Sequence, residues 1–207
     1  MASGRICVGG VLLAFVASAS ALGCGLLSAD SRTGSVDVSW LEGDATAAIK
    51  GYVATTPALC LSPDDVYLAK VYLREGPYIY VQVLQGYRGI RVDDGYLRLK
   101  VHGTTGEVVK VINNTFRAIA PSTSVEPSVP WEDARAAAVR ALPCPVREAG
   151  EEEGELPSNR GLILYFPPGE QTPRLVWDVF LRGLTTDGRF YVDAHTAGIL
   201  WQFIGRI

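Results

Sequence analysis

The side chains able to do chemistry in this 207-residue chain are few and scattered. Its two histidines, His102 and His195, stand far apart. Neither belongs to an H-E-x-x-H pair, the helical spacing that holds zinc in metalloproteases. No serine lies in a G-x-S-x-G elbow, and no motif sets a histidine beside Cys60 or Cys144, so no nucleophile has a neighbouring base. Glu151, Glu152, Glu153 and Glu155 crowd their carboxylates together without the alternating spacing of a calcium loop, and read as a solvated insertion. His102 falls on the polar side of an alternating stretch and His195 in a turn, which makes both surface residues. The expectation is a non-enzymatic protein with no catalytic residues, no metal and no cofactor.

The four cysteines carry more information. Arg5 and the amino terminus precede an apolar run over 6–22 that ends in the small-residue string ASASALGC over 17–24. A basic start, an apolar middle and small residues before a cut site describe a signal peptide at 1–23. Ala21, Leu22, Gly23 and Cys24 resemble a bacterial lipobox with its leucine one place late. Cleavage after Ala21 would instead leave Cys24 a plain thiol, and an uncleaved anchor is a third course. Cys7 leaves with the signal. Lipidation of Cys24 then leaves Cys60 and Cys144 as an even pair in an oxidising compartment, to be read as a disulfide or as two buried thiols. Cys24 is therefore the expected lipidation site, on an envelope lipoprotein or a secreted or periplasmic protein.

A net charge of −3 gives no reason to expect nucleic acid or an anionic membrane surface as partner, and confines membrane contact to a lipid anchor or an uncleaved signal. After a polar tether at 24–41, residues 42–53 read as a short helix with Asp44 as N-cap. Period-2 alternation predicts strands at 66–73, 78–84, 97–101 and 107–112, joined by short glycine-bearing turns into an antiparallel meander. Tyr78, Tyr80, Tyr87 and Tyr96 cluster here, as cross-strand packing with part of the patch left exposed. The sequon at Asn113 marks a strand end. A Pro/Ser-rich connector at 120–130 leads to a helix over 131–142, with Trp131, Ala134, Ala137, Ala138, Ala141 and Leu142 on one face. Further strands follow at 161–166, 175–181, 190–193 and 199–204.

The string QGYRGIRVDDGYLRLKV over 85–101 resembles the FTP motif (fungalysin/thermolysin propeptide), Q-x-Y-x-G-[IV]-P-V-x-G-G-x-L-x-V-x-V. Gln85, Tyr87, Gly89, Ile90, Val92, Gly95, Leu97 and Val101 fall on it in register. Arg91 stands where that family has proline and Asp94 where it has the first glycine. The second half is similar to a PepSY domain: a P-x-x-x-A-x-x-x-A helix, the strand LVWDV at 175–179, and FYVDAHTAGIL at 190–200 against Y-x-V-D-A-x-T-G-[EK]-[VI]-L. Asp193, Ala194 and Thr196 match. Ala197 and Gly198 replace Gly-Glu, which moves the glycine, and with it the residue able to take positive φ, by one place.

These resemblances imply an α+β fold of two small subdomains, each an antiparallel sheet with a helix, FTP-like at 42–120 and PepSY/cystatin-like at 121–207. In thermolysin-like precursors such a pro-region assists folding of the peptidase and covers its active site. Here the chain ends at Ile207, where the family continues into the peptidase. The resemblance therefore implies a stand-alone protein that binds a thermolysin-like metallopeptidase in trans, as inhibitor or folding assistant. Gln85, Tyr87, Gly89, Arg91, Asp193 and Thr196 are its interface candidates, on two exposed hairpins. The competing expectation is an envelope lipoprotein that uses the fold as a structural or ligand-binding module without a protease partner.

Overall fold

Helix α1 (Ala45–Ala54) begins where Asp44 turns extended and its carboxylate accepts the amide hydrogens of Thr46 and Ala47 at 2.8 and 3.4 Å, the cap its position predicts. It buries Ile49, Tyr52 and Val53. The computed structural model describes residues 34–39, 44–116, 119–146 and 159–205. The signal segment, Cys24 and the glutamate stretch 151–155 lie outside them. Among the described residues no helix is long and apolar enough to cross a membrane.

Strands β1 (Val66–Glu75), β2 (Tyr78–Tyr87), β3 (Ile90–His102) and β4 (Val108–Asn114) form the expected antiparallel meander. Alternation puts Val81, Leu97, Leu99, Val101 and Val111 on one face, where they form a core with the buried side of α1. Asn113 turns its amide onto the Leu59 carbonyl at 3.1 Å, so the sequon does end a strand with its side chain engaged.

Helix α2 (Trp131–Ala141) starts at Pro130 without a side-chain cap. Its alanine face, Ala134, Ala137 and Ala138, is buried against β6 (Arg174–Arg182) and β7 (Asp187–Asp193) around the fully buried Phe190. Side chains this small let the helix lie close to the sheet, and Trp177 anchors its approach by donating to the Val129 carbonyl at 2.9 Å. Strands β5 (Asn159–Tyr165) and β8 (Ile199–Gly205) flank β6 and β7, all antiparallel.

The sequence predicts two separate antiparallel sheets, but the strands make one hydrogen-bonded sheet that branches at β3. The C-terminal part of β3 pairs with β4, whereas Arg91 and Val92 pair in parallel with Ile163 and Leu164 of β5. A detour makes this possible. Between the pairs Leu84–Tyr96 and Gly86–Arg91, β3 takes five steps while β2 takes two, so residues 92–95 loop away from β2 and carry the start of β3 toward β5.

The predicted Cys60–Cys144 bridge does not form. Cys60, in a left-handed conformation after the 3-10 turn Pro57–Leu59 beside α1, is disulfide-bonded, and Cys144 is a free thiol. Cys144 belongs instead to the α2 cluster, with its Sγ 3.3 Å from Thr186 Oγ1, and hydrogen bonding to Thr186 draws its thiol down to about 6.

Candidate functional site

The β2–β3 turn is a two-residue loop. Tyr87 pairs with Ile90, and both Arg88 (φ 49) and Gly89 (φ 80) take positive φ, the type I′ geometry that suits the twist of a hairpin. Just inside it, where β3 departs from β2, Gln85 supplies the missing ladder. Its side-chain amide donates to the Phe116 carbonyl at 2.8 Å and accepts from the Phe116 amide at 2.9 Å. A Cβ on Gly95 would sit 2.6 Å from Gln85 Oε1, so only glycine fits there. Asp94 takes φ +55 at the position where the FTP pattern has glycine. Tyr87 extends its hydroxyl to the Ala120 carbonyl at 3.0 Å. These motif residues hold the branch point of the sheet.

The β7–β8 turn is also held from within. Asp193 Oδ1 accepts the amide hydrogens of His195 and Thr196 at 2.8 and 2.9 Å, and Thr196 Oγ1 accepts that of Gly198 at 3.3 Å. His195 Nδ1 lies 3.1 Å from Ser128 Oγ, which ties the turn to the connector before α2. The positive φ expected to move to Gly198 stays at Ala197, at φ +59. The hydrogen-bond frame sets the turn: the Ala197 amide donates to the Asp193 carbonyl at 3.0 Å whichever residue stands there. A left-handed conformation costs an L-residue roughly 1–2 kcal/mol. Ala197→Gly is therefore expected to stabilise the protein by about 0.5–1 kcal/mol after the added freedom of the unfolded glycine. A higher urea midpoint is the expected reading; an unchanged or lower one would count against a strained Ala197.

Between these turns, on the sheet face opposite α2, lies a cluster of charged and aromatic side chains. Asp178 is fully buried and takes a two-point contact from Arg189, Nε–Oδ1 and Nη2–Oδ2 both 2.8 Å. Arg91 reaches in from β3, with Nη2 3.7 Å from Asp178 and 3.6 Å from Asp93. That nitrogen is buried and makes no hydrogen bond. Tyr191 donates its hydroxyl to Asp93 Oδ2 at 2.8 Å, and its ring packs against Tyr165 and Trp201, each at a 4.9 Å centroid distance. Hydrogen bonding to Asp178 holds the Arg189 proton more firmly than usual, and burial followed by the Asp93 charge pushes the Tyr191 phenol well up.

Burial also raises the Asp93 carboxyl, with Asp94 adding to it, against the hydrogen bond from Tyr191 and the charges of Arg91 and Arg189. The ionised form is thus the penalised one. Its contribution to stability is fully present below the unfolded value of 3.8 and is lost as pH rises through the higher folded value. Asp93→Asn keeps an acceptor for Tyr191 and removes the titration. Relative to the variant, the wild type is expected to lose stability across that window, as urea midpoints measured from roughly pH 3 to 7 would show. A wild type that gains on the variant as pH rises would contradict this.

The six interface candidates do not converge as a single exposed patch. Gln85 and Asp193 are each 4% exposed and hold backbone, which corrects their expected place on exposed hairpins. Gly89 and Thr196 are exposed, while Tyr87 and Arg91 are half-buried. Arg91, Ile163, Val176 and Asp193 share one rung across β3, β5, β6 and β7. Because β3 and β7 run the same way, with Arg91 near the start of one and Asp193 at the end of the other, their turns leave the sheet at opposite ends. The cluster residues Asp93, Asp178, Arg189 and Tyr191 were not singled out by the sequence. The available signal was an aspartate inside the apolar strand LVWDV, a position that demands a cation across the sheet. Among the described residues no group of three or more His, Cys, Asp or Glu side chains could hold a metal ion.

No protein-family model and no curated protein matches the chain. Two solved structures similar to it are the Bacillus megaterium YpeB C-terminal domain and a candidate lipoprotein from Clostridium difficile 630. The first is 12% identical with a TM-score of 0.44, covering 86% of this chain and 69% of its own. The second is 10% identical with a TM-score of 0.25, covering 68% and 82%.

Proposed function

We propose that the protein is an exported, non-catalytic binding protein that engages a secreted thermolysin-like metallopeptidase in trans, as inhibitor or folding assistant. The observation that carries this reading is how the chemistry-capable side chains are used. Asp178 and Arg189 bind each other, Tyr191 donates to Asp93, Asp193 holds a turn, and the His102 Nδ1 accepts from Thr104 and Thr105 in another. These groups serve the fold, which supports surface recognition as the means of action. The resemblance to FTP and PepSY pro-regions supplies the class of partner. The arginine at position 91, where those pro-regions have proline, is absorbed into the buried cluster and so belongs to the sheet joint.

The test adds the full chain to a thermolysin-like peptidase of the same source and follows refolding yield and activity. A change in either is expected at concentrations up to roughly 50 µM, within reach of a standard interface of about 1,600 Å². No change in either would overturn the reading. The second reading, an envelope lipoprotein acting as a structural or ligand-binding module without a protease partner, is favoured by a separate observation. Cations collect on the outer face of the first four strands of an otherwise acidic chain.

A further inference from the structure

The whole chain carries 19 basic and 22 acidic residues, yet one face of the meander gathers four cations with Glu75 at its margin. The register aligns three rungs on the side of β1–β4 away from α1. They are Leu68–Leu84–Tyr96–Asn114, Lys70–Gln82–Arg98–Ile112 and Leu73–Tyr80–Lys100–Lys110. They hold four cations, Lys70, Arg98, Lys100 and Lys110, and no carboxylate. None of the four has a carboxylate partner among the described residues. Glu75, on the next rung, accepts the Tyr80 hydroxyl at 3.2 Å. Net charge hides this segregation.

The same face exposes large apolar side chains. Leu68, Tyr72, Leu73 and Ile112 are 41–47% exposed, with Tyr72 brought over Tyr80 by the bulge in β1. With strands about 4.8 Å apart, the patch is roughly 15 Å across. We propose that this face docks on an anionic lipid bilayer, its cations at the headgroups and its leucines, Ile112 and tyrosines at the interfacial depth.

The mixture of side chains decides between occupants. Three of the four cations are lysines, a type depleted at protein–protein interfaces. Lysine with tyrosine and exposed aliphatic groups is the composition of membrane-surface elements. Single-stranded nucleic acid would need open aromatic faces for base stacking. Here Lys100 Nζ lies 3.9 Å above Tyr78 and 5.5 Å from Tyr80, and Arg98 lies 4.9 Å from Tyr96. An acidic soluble polymer would find no use for the aliphatic rim. The inference stands apart from the peptidase reading, since the face includes neither hairpin turn, and its failure would leave that reading untouched.

The experiment measures partition of the full chain onto phosphatidylcholine vesicles with and without phosphatidylglycerol. The ratio of the two coefficients cancels the apolar contribution of the N-terminal run, and the charge-reversed variants separate this face from Arg5 and the amino terminus. Each basic residue at an anionic surface is worth roughly fivefold, so four give a ratio of several hundred at low salt. Added salt should shrink it. Lys70→Glu with Lys110→Glu is expected to lower the ratio at least 25-fold or so. Lys50→Glu, on the exposed side of α1, should leave it within about twofold because it lies off the face. Leu73→Ser with Ile112→Ser should weaken binding to both vesicle types. The milder Lys100→Gln serves should the reversed pair fail to fold, with roughly fivefold expected. A ratio near one for the wild type, equal loss from Lys50→Glu, or tighter binding of polyglutamate or single-stranded DNA than of anionic vesicles would overturn the proposal.

Discussion

Replacing Arg189 with methionine is expected to destabilise the protein by about 3–5 kcal/mol, the usual cost of leaving a buried charge without its partner. Asp178 is 0% exposed, and its two oxygens are held by Arg189 at 2.8 Å each. Among the described residues the other cation within reach, Arg91, stands 3.7 Å from one of them without a hydrogen bond. In a domain of this size the change corresponds to a melting temperature lower by roughly 10 °C. Adding Asp178→Asn should recover much of the loss, because the penalty arises from the orphaned carboxylate and not from the absent arginine. Urea denaturation of the single and double variants checks both statements. A loss under about 1 kcal/mol in Arg189→Met would mean that water or Arg91 takes over the carboxylate.

Gln85→Ala should have the second-largest effect, about 2–4 kcal/mol, since each unmatched buried backbone group costs about 1–3 kcal/mol. The glutamine amide satisfies both the N–H and the C=O of Phe116, and its removal also opens space beside Gly95. The damage should be local. Hydrogen exchange at the Phe116 amide is expected to accelerate while amides in the β1–β2 ladder keep their protection. Equal loss across both would show that Gln85 acts on the whole meander and not at the branch.

The strands and both helices were legible because their signals are local. Period-2 alternation placed Leu97, Leu99 and Val101 on the buried face, Asp44 announced the first helix, and the alanine stripe of α2 marked the face it buries. The motif over 85–101 was legible as a pattern but not as a set of roles. Gln85 was placed on an exposed hairpin because it belongs to the motif beside the turn, and nothing short of the backbone detour at 92–95 shows that it replaces a broken ladder. The left-handed sites at Asp94 and Ala197 sit where the two family patterns have glycine, so the pattern was a better guide to backbone conformation than the residue present. The polar cluster escaped because its contacts span the chain: Tyr191 and Asp93 are 98 positions apart. The union of the two sheets rests on two parallel pairs, a non-local contact without periodicity to announce it.

Sharing β3 between the two halves also orders their assembly in time. The β2–β3 hairpin closes through two residues, an event of microseconds, whereas β5 reaches β3 only after a loop of roughly seventy residues has closed. In that interval the first half presents Arg91 and Val92 as a short unpaired edge, displaced from β2 by the detour and open to any extended chain nearby. The first half is thus a template and the second its dependent: β5–β8 expressed alone would carry β5 as a bare edge with no strand to lie on, and self-association through it would be the expected fate.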